Sequence, residues 1–274
     1  MIPEGNAPEP LLDVATALSP LSSSDGALPW SFTLSQLMFT PRDISEPEFP
    51  PEDRPYAGWL NASLSVFSLA SDRLERFRIG LGVVGPSSGA EQVQKQIHEM
   101  VGANQPEGWD RQVPDEATLQ LSYDRQWRVP LFNGGLDWEL LPGAGISAGN
   151  ALLGAEVGAV IRVGQNIPLD FGPPRLRSLA GGSAYHGSST GFGWFVYGGF
   201  AYQYINHDIT LDGSIFSDEG PYVSRKDSRR QYYLGAAVFT GDVRFALATA
   251  LESRAFAAQN GNSRYGGMTV SWRW

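Results

Sequence analysis

The sequence predicts an all-β protein, an antiparallel transmembrane β-barrel with one short helix inserted at about 89–101. Three observations predict it. From residue 31 onward apolar residues recur with period two, which places them on one face of successive strands. Of 274 residues, 32 are Gly and 19 are Pro, and 42% are hydrophobic. Only 18% are charged, below the roughly 25% of ordinary soluble domains. No uncharged apolar run reaches the roughly 18 residues of a membrane helix, so a membrane would be met as strands.

The elements follow in order. Residues 1–29, rich in Pro, Ser, Ala and Gly, read as an irregular loop segment, and 30–274 as a single barrel domain. About ten strands are predicted, at 30–40, 58–70, 74–85, 117–129, 134–147, 152–164, 193–210, 223–240, 242–253 and 263–274. In the third, Phe77, Ile79 and Leu81 alternate with Arg76, Arg78 and Gly80; in the sixth, Leu153, Val157 and Ile161 alternate with Gly154, Glu156 and Arg162. The second face carries Gly, Ala, Ser and a few charges of both signs, which suits a narrow lumen where charges pair. Trp59, Trp127, Trp194, Tyr202, Tyr204, Trp272 and Trp274 fall near strand ends on the apolar face, as an interfacial girdle would. Phe77, Ile79, Leu81, Leu153, Val157, Ile161, Val270 and Trp272 are expected to face lipid. A soluble barrel with an apolar interior is the competing reading.

Between the third and fourth strands the period changes. Gly85-Pro86-Ser87-Ser88 ends a strand, and Val93, Ile97 and Val101 form a helical apolar stripe over 89–101. Ser88 with Glu91 three residues later fits a capping box. Gln94 and His98, four apart, share one helix face.

Charge and composition exclude several functions. Twenty basic against 29 acidic residues give a net charge of −9, with no cationic cluster to neutralise phosphates, so nucleic acid is not a partner. With no cysteine, disulfides, thiol catalysis and thiolate zinc sites are excluded. No Gly-x-Ser-x-Gly elbow supports a serine nucleophile. His98, the one histidine in a defined element, is the best general-base candidate, because imidazole titrates near neutrality. His186 in a Gly/Ser loop and His207 near a strand end read as surface residues. Asp208, Asp212, Asp218 and Glu219 lack the order of a calcium loop and read as a solvated acidic loop.

Thr40-Pro41, the run Asp53-Arg54-Pro55-Tyr56-Ala57-Gly58-Trp59, and Gly82-Val83-Val84-Gly85-Pro86-Ser87 resemble the outer-membrane lipid A 3'-O-deacylase family. So do Gln94 and His98, Gly108-Trp109-Asp110-Arg111-Gln112, Glu116 and, less specifically, Gly149-Asn150, Phe171-Gly172-Pro173-Pro174-Arg175 and Leu211-Asp212-Gly213. The resemblance covers most of 35–274. It implies a twelve-stranded barrel in the bacterial outer membrane, delivered by the barrel assembly machinery. It also implies a calcium-dependent esterase acting on the 3'-linked acyloxyacyl chain of lipid A in lipopolysaccharide. By position, His98 would be the general base, Gln94 its neighbour, and Arg54, Tyr56 and Glu116 parts of the site wall. The family's opening hairpin, with an Asn-Asp pair and a Tyr-Thr-Asn-Gly motif, is not found, and no basic residue precedes Arg42 to form a signal peptide. The expectation is therefore ten of twelve strands, with metal ligands in the two not found. The alternative is a non-catalytic barrel, a small pore or binding protein that keeps the fold.

Overall fold

A computed structural model describes residues 29–48, 50–167, 170–172 and 189–272. Its strands are β1 (Trp30–Phe39), β2 (Ala57–Leu69), β3 (Arg73–Val84), β4 (Glu116–Trp127), β5 (Val129–Gly134) and β6 (Leu136–Gly149). They continue with β7 (Leu152–Gln165), β8 (Ser189–Asp208), β9 (Ser228–Gly241), β10 (Val243–Glu252) and β11 (Ser263–Trp272). Every pairing is antiparallel, in the order β1-β2-β3-β4-β6-β7-β8-β9-β10-β11. β5 resumes β4 after Arg128, and both pair with β6, so this is one wall strand with an irregularity between Pro130 and Phe132. Among the described residues β1 and β11 each have one paired neighbour. The strands predicted over 242–253 and 263–274 are found as β10 and β11, whereas the predicted strand over 223–240 begins only at Ser228.

The sheet curls strongly. Phe67 of β2, Leu141 of β6, Phe195 of β8, Tyr233 of β9 and Ala246 of β10 belong to one buried cluster, which a flat sheet could not bring together. On the outer side Leu81, Leu153, Val157, Ile161, Val270 and Trp272 are exposed, as the alternation predicts. A row of exposed Leu, Val and Trp around a curled wall is what lipid solvates, and it excludes the soluble reading in which the apolar face lies inside. Phe77 shares that outer face but is buried, flanked in register by Val66 and Tyr123. Trp59 is a clear correction. Its parity in β2 is that of the core residue Phe67, so it points into the lumen and donates its indole N–H to Thr118 at 3.1 Å. Its position near a strand end was a poor guide to its face.

The inner face pairs its charges, as a narrow lumen requires. Arg76 meets Asp124 at 2.6 Å. Near the rim where β2 turns into β3 and β9 into β10, Arg162 holds both Glu139 and Asp170, and Arg244 holds Asp170 at 2.8 Å. The opposite rim carries helix α1 (Ala90–Val101) after β3 and a single helical turn, α2 (Ile209–Asp212), after β8. The predicted strand end at 210 is that turn. The 1–28 stretch, His186 and Trp274 lie outside the described residues.

Candidate active site

Helix α1 stands on the outer side of the wall at β1 and β2. Two features seat it. Gln36 of β1 donates to the Ser88 carbonyl at 2.6 Å. Gly58 of β2 leaves room for the chain at Ser88–Ala90, because a Cβ there would lie 2.1 Å from Ser88 Oγ and 2.4 Å from the Ala90 Cβ. The expected capping box does not form. A 3-10 turn at Pro86–Ser88 precedes the helix, Gly89 is its N-cap, and Ser88 Oγ donates instead to the Gly85 carbonyl at 2.6 Å. Glu91 pairs with Lys95 at 2.7 Å. Ser88 is buried beneath the helix, so its hydroxyl serves the turn that aims α1.

His98 is fixed by the chain that follows it. Gly102, at φ 67°, ends the helix in the left-handed region, and the Ala103 N–H bonds the His98 carbonyl at 2.8 Å. This reversal brings the Asn104 carbonyl to 2.5 Å from His98 Nδ1. A carbonyl only accepts, so Nδ1 carries the proton and Nε2 keeps a lone pair. One turn earlier, Gln94 Oε1 accepts from the indole N–H of Trp109 at 2.9 Å. Ile97, Met100 and Val101 are exposed on the same helix, Met100 to 83%. An imidazole with a lone pair at Nε2 is thus carried on a helix that also exposes apolar side chains.

The other predicted residues divide. Tyr56 is fully buried against Trp109, with ring centroids 4.9 Å apart, and donates to the Ile44 carbonyl at 3.2 Å. Burial pushes its hydroxyl pKa up, with the Gly108 backbone opposing. It supports the site from behind. Arg54 lies over the Phe39 ring at 4.6 Å and donates to Thr210 at 3.3 Å, at the mouth of the lumen. Glu116 accepts from Asn150 Nδ2 at 2.6 Å, and Asn150 also takes the Leu119 N–H, so this pair ties β4 to the 150–151 turn. These contacts hold Arg54 and Glu116 at the lumen rim.

Sequence reasoning misplaced His207 and Asp208, whereas Asp218 and Glu219 are exposed as expected. His207 and Asp208 are buried at 9% and 7%. His207 Nε2 donates to the Asn150 carbonyl at 2.9 Å, and Asp208 meets Arg229 at 2.7 Å and accepts from the Thr210 hydroxyl at 2.6 Å. Arg225 holds Asp212 at 2.7 Å. These carboxylates have cationic partners from across the turn, which linear spacing could not show. Asp208, Thr210 and Arg229 border a lumenal cavity of about 190 Å³ that also includes Trp59, Asn61, Arg78 and Gln120. Neither His98 nor Gln94 lines it. Among the described residues no group of three or more His, Asp or Glu is gathered to hold a metal.

A curled antiparallel sheet with an apolar exposed exterior defines a class, the outer-membrane β-barrel proteins. The family model described as Outer membrane protein LpxR matches residues 2–274, and the chain belongs to that family. Among solved structures it is similar to LpxR from Salmonella typhimurium, with a TM-score of 0.80 and 20% identity. The match covers 90% of this chain and 84% of that one, and at this identity it speaks for the fold. A search of curated proteins finds no match.

Proposed function

We propose that this outer-membrane protein is a lipid A deacylase-like esterase that hydrolyses the 3'-linked acyloxyacyl chain of lipid A in lipopolysaccharide. The observation that carries the reading is His98, its Nδ1–H tied to the Asn104 carbonyl, on a helix seated against the outer wall. His98 Nε2 takes a proton from water as the water oxygen attacks the ester carbonyl carbon. The tetrahedral intermediate collapses with cleavage of the acyl C–O bond, and the imidazolium returns the proton to the departing 3'-oxygen. Gln94 orients the reacting atoms from the preceding turn. Exposed Ile97, Met100 and Val101 offer hydrocarbon contact, so an acyl chain in the outer leaflet reaches His98 without entering the lumen. Arg54, Tyr56 and Glu116 then act on the site through the loops they hold.

Calcium, which the resemblance implies, would act as a Lewis acid on the ester carbonyl, and no step is assigned to it. Activity measured with and without EDTA reports the requirement directly. The exposed outer face of β11, with Met268, Val270 and Trp272, supports recognition by the barrel assembly machinery. The second reading, a non-catalytic binding barrel, draws on Arg54 and Glu116 being held at the lumen rim. A pore is harder to support, because Asp170 and its arginines fill the lumen near the rim where β2 turns into β3.

Mass spectrometry of lipid A incubated with the protein decides between the two. The esterase reading expects loss of the 3'-acyloxyacyl group, slowed by about 10²–10⁴-fold in His98→Ala, the usual contribution of a general base. Unaltered lipid A with the wild type favours the binding barrel.

A further inference from the structure

We propose that Trp109 is a positioning residue that pins the Gln94 amide as a hydrogen-bond donor. The inference rests on the esterase reading above. Trp109 opens a 3-10 turn, Trp109–Arg111, and is 1% exposed, clustered with Tyr56 and Ala90 and packed by Met38 and Ile44. Its ring cannot swing away. Its indole nitrogen can only donate, so the Gln94 atom 2.9 Å from it is the amide oxygen. Nε2, with two N–H groups, is thereby turned away from the buried cluster.

The consequence is chemical. A glutamine amide turns about a soft, roughly two-fold terminal torsion, and with nothing to choose between its ends it offers donor or acceptor alike. Held by Trp109, Gln94 offers N–H only, on the helix face it shares with His98 one turn away. It can therefore donate to the oxygen of the attacking water or to the ester carbonyl oxygen, and it cannot compete with Nε2 of His98 for the water's proton. Tyr56 completes the chain of support, since its ring lies against the indole. Tyr56 from the Asp53–Trp59 run and Trp109 from the Gly108–Gln112 run thus share one purpose, which is to orient a single amide.

The test is a cycle of variants in the full chain, assayed on vesicles containing lipid A, with heat-modifiable gel migration confirming folding. Trp109→Phe keeps an aromatic ring in the cluster and removes the N–H donor. It should lower kcat about three- to tenfold, the worth of one net hydrogen bond, with KM unchanged. In a Gln94→Ala background it should add nothing, because the two residues act as a unit. Gln94→Glu accepts from the indole but cannot donate, so it should be as slow as Gln94→Ala. The ¹⁵N-indole resonance of Trp109, assigned by its loss in Trp109→Phe, should shift in Gln94→Ala. An equal further loss from Trp109→Phe in the Gln94→Ala background would mark a merely structural ring and overturn the inference. So would full activity of Trp109→Phe while Gln94→Ala is slow, which leaves the esterase reading standing. Full activity of Gln94→Ala overturns both the role given to Gln94 and this inference. An unmoved indole resonance overturns the contact whatever the activity.

Discussion

Asp170 is fully buried between two guanidinium groups, Arg162 and Arg244, and Arg162 reaches Glu139 as well. Taking Asp170 from such a cluster leaves two cations to share the one carboxylate of Glu139, which only Arg162 reaches, in a space that cannot hydrate them. Asp170→Ala should therefore cost about 3–5 kcal/mol, read from urea unfolding of the lipid-refolded barrel, and a cost near zero would show that water already reaches the cluster. The sequence marked these residues only as inward-facing charges of both signs. Which arginine meets which carboxylate depends on strands far apart in the chain, Arg244 and Asp170 being 74 positions apart. His207 and Asp208 were misjudged for the same reason. Their partners Asn150 and Arg229 arrive from other strands, and a short acidic run looks solvated until those partners are placed. Gln94 and His98 were legible, because i, i+4 spacing on one helix needs no tertiary information.

At the scale of elements, the seat of α1 matters most. Gly58 is the only residue type that lets Ser88 and Ala90 approach β2, because a Cβ would sit 2.1 Å from Ser88 Oγ. Gly58→Val should lift the start of the helix from the wall and displace His98 by something like an ångström, which typically costs about 10²-fold in rate. The barrel itself should fold normally, since β2 is unbroken by a valine. Equal activity in Gly58→Val and wild type would mean that the helix is not positioned by this contact. The helix and its rough span were readable from the change of period. The start was not, because Ser-x-x-Glu is satisfied equally well by a capping box and by a 3-10 turn followed by a glycine cap. The break at Arg128 between β4 and β5 was similarly hidden, since alternation runs on either side of it.

For the whole molecule, period-two alternation was enough to reveal the wall and most of its lipid face. It failed at Trp59, where an aromatic near a strand end belongs to the lumen, and at Phe77, which has the right face but is covered. The alternation itself makes a sharp test, because Ile161 and Arg162 are adjacent and point to opposite sides, one 41% exposed and the other fully buried. Ile161→Arg should cost about 2–4 kcal/mol in folding into bilayers if it lies near the midplane. Insensitivity of bilayer folding to that change would contradict the membrane wall.

The central claim is water attack at an outer-wall ester, driven by His98. It is tested most directly by incubating lipid A vesicles with the protein in ¹⁸O-labelled water and weighing both products. The account predicts one ¹⁸O in the carboxyl group of the released acyloxyacyl acid, none in the sugar 3'-hydroxyl, and release slowed at least about 10²-fold by His98→Ala. Label in the sugar hydroxyl, or undiminished release from the His98→Ala protein, would contradict it.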